Sequence, residues 1–233
     1  SMPQAFHRWI FCSIAVLLLP ASAATQPADT ASAQGQAYAD LVAMLKTFET
    51  LAEQAAPYLP DDGKTLWYDW EQLPPALATR RDSLVAAHSR RLSAIVAEHG
   101  FPTEDTLMPH SAAYILWRHS VDAPTQQHLL PTVIDAQMAD MEAPYRYVMK
   151  AELTDRVALR TTRSQIYGTH VCQVNGTLRY FPIQNREVAA RYRAQYGMST
   201  LEDYLNGIGQ ACPCSDRRPC PAWARRDEQA PER

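Results

Sequence analysis

The chain has 233 residues, with 22 lysines and arginines against 25 aspartates and glutamates, a net charge of −3. It lacks the basic excess that neutralises a phosphate backbone, so nucleic acid is excluded as the expected partner. Eight glycines against seventeen prolines argue against a glycine-rich nucleotide loop and against a turn-rich all-β fold.

Residues 1–24 read as a secretory signal peptide. His7 and Arg8 make a short basic start, Trp9 to Leu19 is almost unbroken apolar sequence, and Pro20-Ala21-Ser22-Ala23-Ala24 supplies small residues at the exit. About 11 apolar residues are too few for a hydrocarbon core that takes roughly 20. Cleavage after Ala23 or Ala24 is therefore expected, giving a periplasmic or secreted protein with no membrane insertion afterwards. Residues 25–35 are Ala, Ser, Thr, Gln and Pro without periodicity and read as a flexible leader.

Residues 36–208 are expected to form a single helical domain, mainly α, with one β-hairpin. Tyr38, Leu41, Leu45, Phe48 and Ala52 recur at helical spacing and predict a helix over Gln36 to Ala56. Pro57 and Pro60-Asp61-Asp62-Gly63 end it. Thr65 to Trp70 carries three aromatics within four residues, expected as a loop pinned to the core by its rings; an aromatic ligand patch is the alternative. A second helix, Ala76 to Glu98, places Val85, His88, Leu92, Ile95 and Val96 inward. Arg80, Arg81, Arg90 and Arg91 form its solvated face. His99-Gly100-Phe101-Pro102 breaks that helix. A third has its body at Ala112 to His119, Asp122-Ala123-Pro124 opens a fourth to Met141, and a fifth runs from Tyr145 to about Arg160. Short connections between ordinary helices make a bundle pattern.

The period then changes. Gln165 to Val174 and Thr177 to Ile183 flank Asn175-Gly176, the dipeptide best suited to a two-residue hairpin turn. Alternation over that first strand puts Gln165, Tyr167, Thr169 and Val171 on one face. Helix returns over Asn185 to Tyr196, and Ser199 is expected to cap a last short helix, Leu201 to Leu205. Residues 209–233 lack periodicity and read as a disordered tail rich in Cys and Pro, tethered by its cysteines.

Four cysteines follow the signal: Cys172, Cys212, Cys214 and Cys220. An even number in an exported chain is most simply two disulfides. Cys212 and Cys214 are too close to pair without strain, which favours Cys172 with one tail cysteine and the other two together. Free or partly paired thiols and a metal site are the rivals. The C-x-C spacing fits metal ligation poorly, and no H-E-x-x-H pair exists, so no metal and no cofactor are expected.

The densest polar group is Thr154-Asp155-Arg156 followed by Gln165 to His170. Adjacent residues on a helix point about 100° apart, so Asp155 and Arg156 each need another partner if buried. Gln165, Tyr167 and Thr169 are the candidate ligand-binding set. His119, Asp155 and Arg156 are the candidate catalytic set. A structural network holding the hairpin to the bundle is the competing account of the same residues.

These residues carry a resemblance. His99-Gly100-Phe101-Pro102, His119 with Asp122 and Gln127, Leu153-Thr154-Asp155-Arg156 and Gln165-Ile166-Tyr167-Gly168-Thr169 resemble the spaced motifs of a bacterial domain-of-unknown-function family, over about Leu92 to Leu205. That family usually has H-G-W-P at the first motif and Gln after the Thr, where this chain has Phe101 and His170. The resemblance implies no activity. The expected function is recognition of a small ligand or protein partner outside the cytoplasm. The alternative is a hydrolase-like enzyme using His119, Asp155 and Arg156.

Overall fold

The computed structural model describes residues 33–59, 69–139, 141–143, 145–211 and 220–229. The signal segment, most of the leader, Thr65 to Tyr68, Cys212 and Cys214 lie outside the described residues. Among the described residues the protein is mainly α, with seven α-helices and a single two-stranded antiparallel hairpin. They separate into two compact units, one up to Ala136 and one from Gln137 onward, and the expected span 36–208 contributes to both. Among the described residues no helix is long and apolar enough to cross a membrane.

The first unit is built from α1 (Ala33–Ala55), α2 (Pro75–His99), α3 (Leu107–His119) and most of α4 (Ala123–Met138). The apolar stripe of α1 buries Ala37, Leu41, Leu45, Leu51 and Ala55, and this face packs on both α2 and α3. α1 begins at Ala33, so the last three leader residues are helical. Trp70 is buried and its ring lies 5.7 Å from Phe48. Trp70, the described ring of the aromatic segment, thus packs on the end of α1. Two arginines expected on a solvated face instead tie helices together: Arg91 bonds Asp40 and Arg80 bonds Gln54, both on α1. Long side chains reach across the neighbouring helix while keeping their heads in water.

The helix breaker of the first motif has a clear geometry. Gly100 closes α2 at φ 77° and ψ 174°, a region in which a Cβ is strained. Phe101 then turns inward, edge-on to the His110 ring at 6.0 Å, and His110 Nδ1 lies 2.7 Å from the Pro102 carbonyl. Asp122 opens α4 by accepting the Thr125 N–H at 2.7 Å. Gln126, rather than Gln127, is the buried glutamine: its amide donates to the Trp117 carbonyl while Trp117 Nε1 donates back to the Gln126 carbonyl.

The second unit holds α5 (Tyr145–Thr162), β1 (Val171–Val174), β2 (Thr177–Tyr180), α6 (Arg186–Gln195) and α7 (Leu201–Ala211). The strands pair Val171 with Tyr180 and Val174 with Thr177 around the Asn175-Gly176 turn. They are shorter than expected. Gln165 to His170 is not strand but a folded loop, joined to the far side by an isolated bridge between Gln165 and Ile183 and by the Phe181 N–H, which donates to the His170 carbonyl at 3.3 Å. The shared strand face expected for Gln165, Tyr167 and Thr169 therefore does not exist. Asn185 caps α6 through the Val188 N–H, and Thr200, not Ser199, caps α7 through the Asp203 N–H.

The segment expected as a disordered tail is partly ordered. α7 runs on to Ala211, and Cys220 to Gln229 form a disulfide anchor followed by a 3-10 turn (Ala222–Gln229). Cys172 is bonded to Cys220, 48 residues away. The Cys220 N–H donates to the Gln173 carbonyl at 2.8 Å, Trp223 stacks on Phe181, and Arg163 lies over the Trp223 ring.

Candidate functional site

Asp155 sits on the inner face of α5 and is fully buried. Its Oδ1 accepts the backbone N–H groups of Ile166 at 2.6 Å and Tyr167 at 2.9 Å. Its Oδ2 accepts the Thr169 N–H at 2.9 Å and the Thr169 hydroxyl at 2.8 Å. A buried carboxylate needs this many donors to offset its desolvation. Four N–H and O–H groups converge because the chain reverses around the carboxylate, and the reversal rests on Gly168 at φ 73°. A Cβ there would also displace the Leu201 side chain, whose Cδ2 would lie 2.5 Å away, so the left-handed backbone favours glycine and the close packing adds to that preference.

The same loop is held from the other side by a residue that sequence reasoning missed. Arg193 of α6 is 1 % exposed. Its Nη1 donates to the carbonyls of Tyr167 at 3.0 Å and Gly168 at 3.2 Å, its Nε donates to the Ser199 carbonyl at 2.7 Å, and its guanidinium lies 4.8 Å from the Tyr204 ring. Burial lowers its pKa, and the Tyr180 and Tyr204 phenols and the Asp155 charge oppose that shift. The loop is thus gripped by an anion at its N–H groups and by a cation at its carbonyls. One signal existed: Arg193 lies four residues after buried Ala189 on the inward stripe of α6. Three arginines within eight residues of that helix hide which one points in.

Gln165 is the third part of this scaffold. Its amide donates to the carbonyls of His170 and Phe181 and accepts the His170 N–H, all at 2.9–3.0 Å. Tyr167 contributes its backbone to the clamp and its ring to a cluster with Tyr192 and Tyr196, onto which Tyr147 of α5 also stacks. Burial raises the Tyr167 pKa, with further contributions from Tyr196, Asp155 and Tyr192. Of the predicted ligand-binding set, Thr169 alone reaches Asp155 through its side chain. Arg156 is buried beside Asp155 on α5. His119 belongs to the other unit, where its ring stacks on Phe48 at 6.3 Å. Cys172 is bonded to Cys220 and is no free thiol nucleophile.

A cavity of about 650 Å³ opens in the second unit beside this scaffold. Val174, Phe181, Ile183, Leu201 and Leu205 give it an apolar lining, and Cys220 and Ala224 of the anchored tail close one wall. Arg179, Arg186 and Arg225 stand at its rim with Glu202. Tyr180 also lines it; its hydroxyl donates to the Leu201 carbonyl, and burial pushes its pKa up to about 12. Apart from Cys220, these residues did not stand out in the sequence, because they come from two strands, two helices, the segment between them and the tail. Among the described residues no group of three or more His, Cys, Asp or Glu is placed to hold a metal ion.

No curated protein and no solved structure matches this chain. A family model does, from residue 62 to residue 213, a stretch that takes in the turn after α2, the Asp155 clamp, Arg193 and all of α7. The chain therefore belongs to the family of unknown function DUF6624.

Proposed function

We propose that this protein is an exported binding domain that takes a small ligand into the cavity of its second unit. One contrast carries this reading. The polar groups of Asp155, Gln165 and Thr169 are engaged by the scaffold itself, whereas the cavity leaves charged side chains exposed above an apolar lining. Its volume falls within the range of small-molecule sites. A carboxylate already accepting four hydrogen bonds has little capacity left to serve as a general base, so the hydrolase alternative has no observation in its favour.

Export rests on the basic start, apolar run and small-residue exit of residues 7–24, and the Cys172–Cys220 bond suits an oxidising compartment. N-terminal sequencing of protein from its native envelope should begin near Ala24 or Thr25; intact Met2 in soluble cytoplasm would refute export. The binding site is tested by a thermal-shift screen of small molecules against the full chain and Leu205→Trp, which fills the cavity from α7. Stabilising ligands should lose their effect in the variant. Ligands that stabilise both proteins equally would move the site elsewhere, with the Tyr147–Tyr167–Tyr192–Tyr196 cluster the next place to look.

A further inference from the structure

We infer that the ligand of this cavity is a small amphipathic anion, an apolar body bearing one carboxylate head; the inference rests on the cavity reading above. Rim and interior differ in kind. Among the described residues the rim carries three guanidinium groups, Arg179 on β2, Arg186 at the start of α6 and Arg225 in the tail turn, against one carboxylate, Glu202. Guanidinium stays charged at any physiological pH, and its planar fork matches a carboxylate. The rim cations come from three separate elements, so tertiary structure alone gathers them round one opening.

The interior offers little to a charged group. Val174, Ile183, Leu201 and Leu205 present aliphatic surface, and the Tyr180 hydroxyl is already committed to the Leu201 carbonyl. A charged head at the mouth with its apolar body inside satisfies both zones. A wholly apolar ligand would gain nothing from the positive rim, and a wholly polar one would gain nothing from the lining. The wall is also held in place: Cys220 is bonded to Cys172, which stands opposite Arg179 in the hairpin, and Arg225 Nε donates to the Cys220 carbonyl at 2.7 Å.

The test uses the full oxidised chain and three probes of one chain length: decanoate, 1-decanol and decylammonium, titrated calorimetrically below their aggregation limits. Decanoate should bind saturably and at least tenfold more tightly than the other two, with affinity falling as NaCl is raised. Arg179→Gln with Arg186→Gln should weaken decanoate at least tenfold and leave decanol unchanged; both positions are exposed, so the fold should survive. Equal binding of all three probes, abolished by Leu205→Trp, would overturn the anion assignment and leave the cavity reading standing. Absence of saturable binding by any probe would overturn both.

Discussion

Asp155 shows how a residue that looks catalytic in a sequence becomes structural in a fold. A carboxylate beside a guanidinium, followed by Gln, Tyr, Thr and His, is the composition of many active sites, but here both carboxylate oxygens are spent on one loop. Asp155→Asn keeps the shape, removes the charge and turns one acceptor into a donor facing other donors. We expect it to lower unfolding stability by about 1–3 kcal/mol, read as a drop in the urea midpoint. A normal midpoint together with lost ligand binding would return Asp155 to a functional role. His119, Asp155 and Arg156 were legible as notable polar residues. Arg193 was not, because an inward arginine is chosen by the carbonyls it meets, and the two in the clamped loop lie about 25 residues away in the chain.

At the scale of elements, helices and turn chemistry follow local rules. The stripe of α1, the Asn175-Gly176 turn, the Asp122 opening of α4 and the Asn185 start of α6 are each set within a few residues of chain. Pairing between elements is where long-range polar contacts enter. His88 of α2 is buried with Nδ1 2.6 Å from the hydroxyl of Ser120, just after α3. Burial lowers its pKa from 6.5 to about 4. The unfolded chain takes up this proton near pH 6.5, while the folded one resists until near pH 4. His88 therefore contributes its full stability above pH 6.5 and loses it as pH falls towards 4. The whole shift corresponds to about 3 kcal/mol, and partial solvent screening reduces the expected loss to about 2 kcal/mol. Urea midpoints between pH 7.5 and 4.5 should fall further for the native chain than for His88→Gln. Parallel profiles would show that His88 does not govern this pairing.

For the molecule as a whole, the Cys172–Cys220 bond is the longest-range covalent constraint among the described residues. Its partners are 48 residues apart, and the chain-entropy estimate for a loop of that length is about 4 kcal/mol. Cys172→Ala with Cys220→Ala should lower stability by roughly that amount under oxidising conditions. Because Cys220 and Ala224 wall the cavity, the double variant should also weaken its ligand. A midpoint insensitive to both substitution and reductant would mean that Phe181, Trp223 and Arg163 hold the tail without the bridge.

Helix order, the single hairpin and a disulfide from Cys172 to the tail are readable from the chain, because periodicity, breakers, turn dipeptides and cysteine parity are local or compositional. The strand face predicted for Gln165, Tyr167 and Thr169 failed for a physical reason. A period of two describes side-chain direction only if the backbone is extended, and Gly168 together with the buried Asp155 carboxylate makes folding back around the anion the better solution. Which arginine turns inward, which cysteine closes the tail and which residues ring the cavity are set by contacts between distant segments. Those contacts carry no periodicity, and only the tertiary structure decided them.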